Sequence, residues 1–168
     1  MVWFKRVVLL TSLLLITSGC VRYSFRGALP PDIKTIAIAQ FEDNSQFQWG
    51  GLREEFNTRL VDAFIQDNTL KVVDDPTQAD LYLTGKIVSV REQKTAISPT
   101  EQVEQIQLYL TVDVTCTNQH TKKVFWKGTL RRNLPIAGAG TLEEKNAILI
   151  KLSEMIVEDI VNKTIAAW

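Results

Sequence analysis

The first residue with recognisable chemistry is Cys20, because of the sequence that precedes it. Two cations at positions 5 and 6 are followed by an apolar run of ten residues, 7–16, and then by three small residues, 17–19. A charged segment, a short apolar segment and small residues before the cut form a secretory signal. A cysteine directly after the cut is the lipid acceptor of a bacterial lipobox. We therefore expect a lipoprotein signal peptide at residues 1–19 and a mature chain acylated at Cys20.

Two other interpretations of this N-terminal segment are a plain secretory signal and a transmembrane helix. A helix needs about 20 apolar residues to cross a bilayer, and the run here is half that length. The lipoprotein interpretation also predicts how the protein is held, because each acyl CH₂ buried in a bilayer contributes about 0.8 kcal/mol and two chains give a stable anchor.

A second group with possible chemistry is a set of cations late in the chain: Lys122, Lys123, Lys127, Arg131 and Arg132. Arg and Lys bind phosphate through charge-assisted hydrogen bonds. Strand alternation places Lys123, Lys127 and Arg131 on one side, where they could converge on one anionic headgroup. The alternative is a solvated hairpin whose charges serve solubility alone.

Residues that could support catalysis are sparse. His120 is the single histidine, and it lies in a predicted turn without a cysteine or carboxylate next to it in sequence. Cys116 falls in phase with an apolar strand face, which indicates a buried packing thiol. Gly138 and Gly140 precede a helix, but one Gly-x-Gly is a weak phosphate signal. The sequence therefore predicts no enzyme, no metal site and no cofactor.

Composition sets broad limits on the class of protein. The signal contains two of the 19 basic residues and none of the 19 acidic residues, so the mature chain, residues 20–168, has a net charge of −2. A near-neutral chain has no overall attraction to nucleic acid, and none is expected as a partner. Residues 20–32 form an acylated tether, and residues 33–168 are enough for a single domain with its own core.

The pattern of apolar residues predicts an α+β fold with two helices packed on one face of a mixed four- or five-stranded sheet. Leu52, Phe56, Leu60 and Phe64 recur at helical spacing, and Thr141 with Glu144 forms a capping box that starts a second helix reaching about residue 166. A parallel crossover should come first and an antiparallel meander second. The expected order is β-α-β-β-β-β-α, with strands at 33–41, 70–74, 81–93, 103–117 and 124–132, a bulge within 85–88, and loops at 96–100 and 133–140.

One face of this sheet has no helix to cover it. Its outward positions, read from the alternation, are Tyr82, Thr84 and Lys86; Tyr109, Thr111, Asp113, Thr115 and Thr117; and Phe125, Lys127, Thr129 and Arg131. The face is polar, rich in threonine and cationic. It is either the solvated side of an ordinary antiparallel sheet or a surface docked in the polar lumen of a large outer-membrane barrel.

The mature chain resembles the lipopolysaccharide-assembly lipoprotein family LptE, in particular its Bacteroidota-type branch. The resemblance spans nearly all of it. The motifs that carry it are Cys20 with Tyr23-Ser24-Phe25 and Gly27, Pro30-Pro31, Ile33-Lys34-Thr35-Ile36, Phe41-Glu42-Asp43-Asn44, the helix from Phe56 to Phe64, Ala79-Asp80-Leu81 with Gly85, residues 156–163, and Trp168.

The resemblance implies a function as well as a fold of two helices on a mixed sheet. It implies a protein without enzymatic activity that fills the lumen of the outer-membrane barrel LptD, helps the barrel assemble and assists lipopolysaccharide transport to the outer leaflet. The expected partners are LptD, lipopolysaccharide and the membrane that receives the acyl chains. The expected location is the periplasmic leaflet of the outer membrane. The contact assigned to Lys123, Lys127 and Arg131 is inferred from their charge and not from the family.

Two further functions stay open from the sequence. A periplasmic adaptor lipoprotein that activates a peptidoglycan synthase or builds a secretion pore also combines a Phe-Glu-x-Asn-Ser strand end, here at 41–45, with an amphipathic helix. A hydrolase is the weaker alternative, since one isolated histidine cannot form a catalytic triad.

Overall fold

A computed structural model describes residues 29–45, 47, 51–96, 104–137 and 140–166. The signal peptide, Cys20, the tether up to residue 28 and residues 97–100 of the break predicted at 96–100 lie outside these residues, whereas Ala96 is the last residue of a strand. The strands and helices, in chain order, are β1 (Thr35–Ile38), β2 (Glu42–Asp43), α1 (Leu52–Asp67), β3 (Lys71–Val72), β4 (Leu81–Ala96), β5 (Glu104–Asn118), β6 (Val124–Ala137) and α2 (Leu142–Ile165).

The sheet combines a parallel half and an antiparallel half, as the sequence predicts. The strand order is β3-β1-β4-β5-β6. Both β3 and β4 run parallel to β1, and β4, β5 and β6 form an antiparallel meander. The two-residue strand β2 also runs parallel to β4. It pairs with residues 86–87 of β4, just beyond the residues that pair with β1. The predicted fold class and element order are therefore confirmed.

Helix α2 begins where a local sequence signal places it. The Thr141 side chain accepts a hydrogen bond from the Glu144 N–H, and the Glu144 carboxylate accepts one from the Thr141 N–H, so the predicted capping box starts α2. Helix α1 ends at the left-handed residue Asn68. In the described part of the chain, neither helix combines the length and apolar character needed to cross a membrane.

The core lies between the helices and the sheet. Helix α1 contributes the predicted stripe of four buried side chains, and α2 contributes a longer one. Alternate residues of β4 and β5 meet these stripes and are fully buried, including Leu83, Ile87, Leu108, Leu110 and Val112. Burial of such side chains stabilises a fold by about 1.5–3 kcal/mol each. The opposite face of the sheet is left outside the core.

The last strand is longer than the sequence predicts. Residues 133–137 were expected in a loop, but they continue β6 and pair with residues 105–109 of β5. Pro135 lies within this stretch, and proline cannot donate a hydrogen bond to a sheet ladder. It is tolerated here because β6 is the edge strand, where a missing N–H can face away from the sheet.

Candidate binding face

The face of the sheet opposite the helices, named here the outer face, is built from cross-strand rows. In an antiparallel pair, residues directly opposite each other point to the same side. One row joins Thr84 of β4, Thr115 of β5 and Lys127 of β6, and the adjacent row joins Lys86, Asp113 and Thr129. Every member of both rows is exposed or half-buried. The predicted outward positions on β4 and β5 are therefore correct.

The outer face carries a shallow recess with mixed charge. Its volume is about 310 Å³, and it is lined by Glu42, Thr84, Gly85, Lys86, Asp113, Thr115 and Lys127. One oxygen of Asp113 accepts a hydrogen bond of 2.6 Å from Thr129 Oγ1. The ammonium groups of Lys86 and Lys127 form no salt bridge with another described residue. Both lysines can therefore donate hydrogen bonds to a ligand or partner at this recess.

Arg131 is fixed on the same face by an aromatic ring. Its guanidinium carbon lies 4.3 Å from the ring centroid of Tyr109, which is a cation–π contact. Arg131 is opposite Thr111, and Tyr109 lies two residue pairs further along the sheet, opposite Asn133. Stacking leaves the edge of the guanidinium free to donate hydrogen bonds, so Arg131 is pre-oriented for an anionic or hydroxyl-bearing group.

The structure separates Lys123 from the other two predicted cations. A bulge shifts the β5–β6 register, so that Thr115 is opposite Lys127 but Thr117 is opposite Val124. Val124 therefore takes the position on the outer face that simple alternation assigns to Phe125, and Lys123 falls out of phase with Lys127. Lys123 lies in the hairpin turn, where its carbonyl accepts a hydrogen bond of 2.9 Å from the Asn118 N–H. The expectation that all three cations share one side is therefore wrong for Lys123.

The same bulge changes the environment of Phe125. The sequence predicted an outward side chain, but Phe125 is half-buried and packs against the hydrophobic core. An extra residue in one strand of a pair moves the following side chains to the opposite phase. Phe125 therefore contributes to the core, and the outer face lacks an aromatic ring that the alternation assigned to it.

Arg91 is a cation of the outer face that the sequence prediction missed. It is exposed and lies in β4 directly opposite Tyr109 of β5, whereas Arg131 approaches the same ring from β6. A predicted bulge in β4 is confirmed as a register shift between Ile87 and Ser89. Carrying this shift through the alternation would have assigned Ser89 and Arg91 to the outer face. The signal was therefore present in the sequence.

His120 is paired, contrary to the expectation of an isolated turn residue. Its Nε2 lies 2.7 Å from Oδ1 of Asp80, which is 40 positions away in sequence. The other oxygen of Asp80 accepts hydrogen bonds from the Lys34 and Thr35 N–H groups and from the Thr35 hydroxyl. Burial would raise the pKa of Asp80, but the bonds from His120, Lys34 and Thr35 together hold it far below its usual range. Asp80 therefore connects the starts of β1 and β4 to the β5–β6 hairpin. We name this set of bonds, formed by Asp80 with His120, Lys34 and Thr35, the Asp80 clasp.

The remaining candidate for chemistry, Cys116, is a packing residue as predicted. It is fully buried, and burial raises the pKa of its thiol to about 12. A thiol with such a pKa is not a nucleophile at neutral pH. Within the described ranges, no three His, Cys, Asp or Glu side chains are grouped so that they could hold a metal ion.

Comparison with protein families identifies the class of protein to which this fold belongs. The family model for LptE, described as lipopolysaccharide-assembly, matches residues 33–164. This range covers every strand, α1 and all of α2 except its last residue. The chain belongs to the LptE family. The match is to the family as a whole, and membership of the Bacteroidota-type branch stays a prediction.

Solved structures share the fold at low sequence identity. A hypothetical protein of Chlamydia trachomatis is 13% identical with a TM-score of 0.55, over 81% of this chain and 99% of that one. A Xanthomonas campestris protein is 11% identical with a TM-score of 0.55, over 86% and 93%. Lipoprotein B of Nitrosomonas europaea is 19% identical with a TM-score of 0.51, over 86% and 90%. A search of curated proteins gave no significant match.

Membership of the LptE family establishes the general role of the protein. It is a lipopolysaccharide-assembly lipoprotein of the cell envelope, and proteins of this family lie in general at the outer membrane. The family is a component of lipopolysaccharide assembly without enzymatic activity, in agreement with the sequence prediction.

Proposed function

We propose that this LptE-family protein is anchored to the outer membrane through acyl chains on Cys20 and that its domain occupies the lumen of the LptD barrel. There it would help the barrel assemble and would contact lipopolysaccharide during transport to the outer leaflet. The observation that supports this proposal best is the outer face, a polar and uncovered side of the sheet in a protein of this family.

The chemistry of the outer face is compatible with a water-filled barrel. The interior of a large outer-membrane barrel is polar, whereas its lipid-facing side is apolar. The described outer face presents threonine hydroxyls and charged groups on three long strands, and its central strand, β5, contributes Thr111, Asp113 and Thr115. Such a surface can form hydrogen bonds with the polar wall of a barrel. Against lipid tails its polar groups would be left without hydrogen-bond partners.

The balance of charge favours an anionic partner. On the outer face, β4, β5, β6 and the recess hold four cations against two carboxylates: Lys86, Arg91, Lys127 and Arg131, against Glu42 and Asp113. A positive surface attracts phosphate and carboxylate groups, which lipopolysaccharide carries. We assign the lipopolysaccharide contact to Lys127 and Arg131. Lys123, the third residue predicted from the sequence, is displaced into the hairpin turn.

Co-purification tests the barrel partner directly. The full-length protein, carrying a C-terminal affinity tag, is extracted from membranes in mild detergent, and its partners are identified by mass spectrometry. We expect one large barrel, LptD, in equal molar amount. Recovery of the lipoprotein without a barrel would contradict the proposal.

A pair of matched variants tests which surface meets the barrel. Thr115→Tyr adds a bulky ring to the middle of the outer face, and Thr58→Tyr adds the same ring to an exposed position of α1. We expect at least a fivefold loss of co-purified barrel for Thr115→Tyr and a smaller loss for Thr58→Tyr. Equal yields from both variants would count against the outer face as the main contact.

A further inference from the structure

The start of the described chain and the β5–β6 hairpin lie at the same end of the domain. Lys34 and Thr35 donate backbone hydrogen bonds of 2.8 and 2.9 Å to one oxygen of Asp80, and His120 of the hairpin lies 2.7 Å from the other oxygen. One carboxylate thus bridges the first strand and the hairpin. A lipid anchor on the N-terminal tether would therefore keep this end of the domain close to the membrane.

The hairpin side of this end is basic and partly apolar. We name it the basic corner and define it by Lys122, Lys123 and Lys163, all exposed, with Val124, whose exposed fraction is 58%. Lys163 comes from the last turn of α2. That turn is held beside the hairpin by a hydrogen bond of 3.2 Å from Trp126 Nε1 to Thr164 Oγ1.

The charges of the basic corner are available to a partner. Lys122 donates a hydrogen bond of 2.6 Å to the neutral side chain of Gln119, and none of the three lysines forms a salt bridge with a described residue. Between Trp126 and Lys163 lies an open recess of about 400 Å³, which Lys127 borders from the outer face. The corner thus joins cations to a concave surface with an aromatic wall.

The carboxylate that the hairpin contacts at this end, Asp80, is already hydrogen-bonded to Lys34, Thr35 and His120. Asp74 and Asp75 follow β3, which forms the opposite edge of the sheet from β6. Four strand spacings separate the two edges, or about 19 Å. Salt at physiological concentration screens charges over about 8 Å. The basic corner therefore acts on a nearby surface without cancellation by these carboxylates.

We propose that the basic corner docks on the anionic phospholipid surface of the membrane that receives the acyl chains, and so fixes the orientation of the domain. This inference rests on acylation of Cys20 in the proposed function. Residues 20–28 can span at most about 30 Å, which keeps the anchored end within reach of the headgroups. Lysines near an anionic bilayer strengthen association by about fivefold each, and Val124 and Trp126 add the apolar contact that an interface accepts.

A site-specific fluorescent label tests this contact on the full-length acylated protein. Thr121→Cys places a polarity-sensitive label on the hairpin, and Thr58→Cys places it on α1 as a control. Labelling is selective, since Cys116 is buried with a thiol pKa of about 12 and Cys20 carries lipid in this proposal. Each labelled protein is reconstituted on vesicles of neutral phosphatidylcholine, with or without 30% phosphatidylglycerol, and association is measured by flotation.

We expect both proteins to float with all vesicles through their acyl chains. The hairpin label should then report a less polar environment only on anionic vesicles, and 0.5 M salt should reverse at least half of this change. The triple variant Lys122→Glu/Lys123→Glu/Lys163→Glu should float equally well but lose most of the response. Lys127 is kept in this variant because it belongs to the outer face.

Each other outcome overturns a specific claim. A hairpin label that responds no more than the α1 label, or responds equally on neutral vesicles, excludes docking of the basic corner and leaves the acyl anchor intact. Failure of the wild-type protein to float overturns the anchor itself, and the docking proposal with it. An unchanged response in the triple variant excludes the three lysines as the cause.

Discussion

The ring of Phe41 fills the space that a side chain on Gly85 would need. A Cβ atom built on Gly85 would overlap the edge of the Phe41 ring and would lie 2.6 Å from the carbonyl oxygen of Asp113. Phe41 itself is fully buried, with its ring centroid 5.5 Å from that of Phe56 in α1. The segment between β1 and β2 can therefore pass closely over β4 and reach the first helix because position 85 has no side chain.

Substitution of Gly85 by alanine should destabilise the protein. We expect Gly85→Ala to lower the free energy of unfolding by about 1–3 kcal/mol, since an extra methyl group in a filled core forces its neighbours to move. Gly128→Ala in β6 is the matched control, because its Cβ would meet no atom closer than 4.0 Å. Gly128→Ala should be neutral or stabilise by up to about 1 kcal/mol. Urea denaturation measures both, and equal destabilisation would contradict the close contact.

The elements with strong local signals are predictable from the sequence. Helix α2 begins at the residue that the capping box indicates, and α1 buries the four residues that recur at helical spacing. The parallel-then-antiparallel order also follows from local spacing. The main error in the fold, at 133–137, arises because the sequence does not show that β6 is an edge strand, and a proline is acceptable only there.

The residues of the outer face are harder to predict, because they depend on the phase of side-chain alternation along each strand, and one bulge reverses that phase. The residue type of Lys123 is unchanged, but a single bulge between its turn and Lys127 moves it off the outer face and turns Phe125 inward. A second bulge brings Arg91 onto the face opposite Tyr109. The pairing of His120 with Asp80 spans 40 positions and depends on tertiary structure, so no local pattern could indicate it.

The Asp80 clasp should make the free energy of unfolding depend on pH in the acidic range. The pKa of Asp80 is lowered from its usual value of 3.8 in the folded protein, so the carboxylate stabilises the fold above that pH and this contribution is lost as the pH falls below it. We expect the linked contribution to fall by about 1 kcal/mol between pH 6 and pH 3. Asp80→Asn should be less stable than the wild type by about 2 kcal/mol at pH 7, because hydrogen bonds to a charged group are lost.

The pH dependence of the stability difference between wild type and Asp80→Asn distinguishes the Asp80 clasp from a general effect of removing a negative charge. The stability gap between wild type and Asp80→Asn should narrow as the pH falls from 6 to 3, measured by urea denaturation at each pH. Asp62→Asn, at an exposed position of α1, is the control and should unfold at nearly the same urea concentration as the wild type at pH 6. A gap for Asp80→Asn that does not change with pH would mean that the carboxylate is not preferentially ionised in the folded state.

Lipid attachment at Cys20 can be tested by removing its thiol. Cys20→Ala should incorporate no labelled palmitate and should leave the membrane fraction, since acyl chains supply the anchor in the proposed function. Cys116→Ala is the matched control, because this thiol is fully buried and should not be acylated. It should keep wild-type levels of label and of membrane association. Palmitate incorporation into Cys20→Ala would show that the acceptor is a different residue.

Charge reversal on the outer face tests the proposed lipopolysaccharide contact. Lys127→Glu/Arg131→Glu should weaken binding of purified lipopolysaccharide by at least about tenfold at low salt, because each substitution replaces a charge-assisted donor with a like charge. The difference should shrink in 0.5 M salt, which shortens the screening length. Lys123→Glu should have a smaller effect, since Lys123 lies in the hairpin and Arg131 is held on the outer face by Tyr109. A double variant that binds like the wild type and melts at the same temperature would exclude these cations, whereas the barrel partnership would still stand on co-purification.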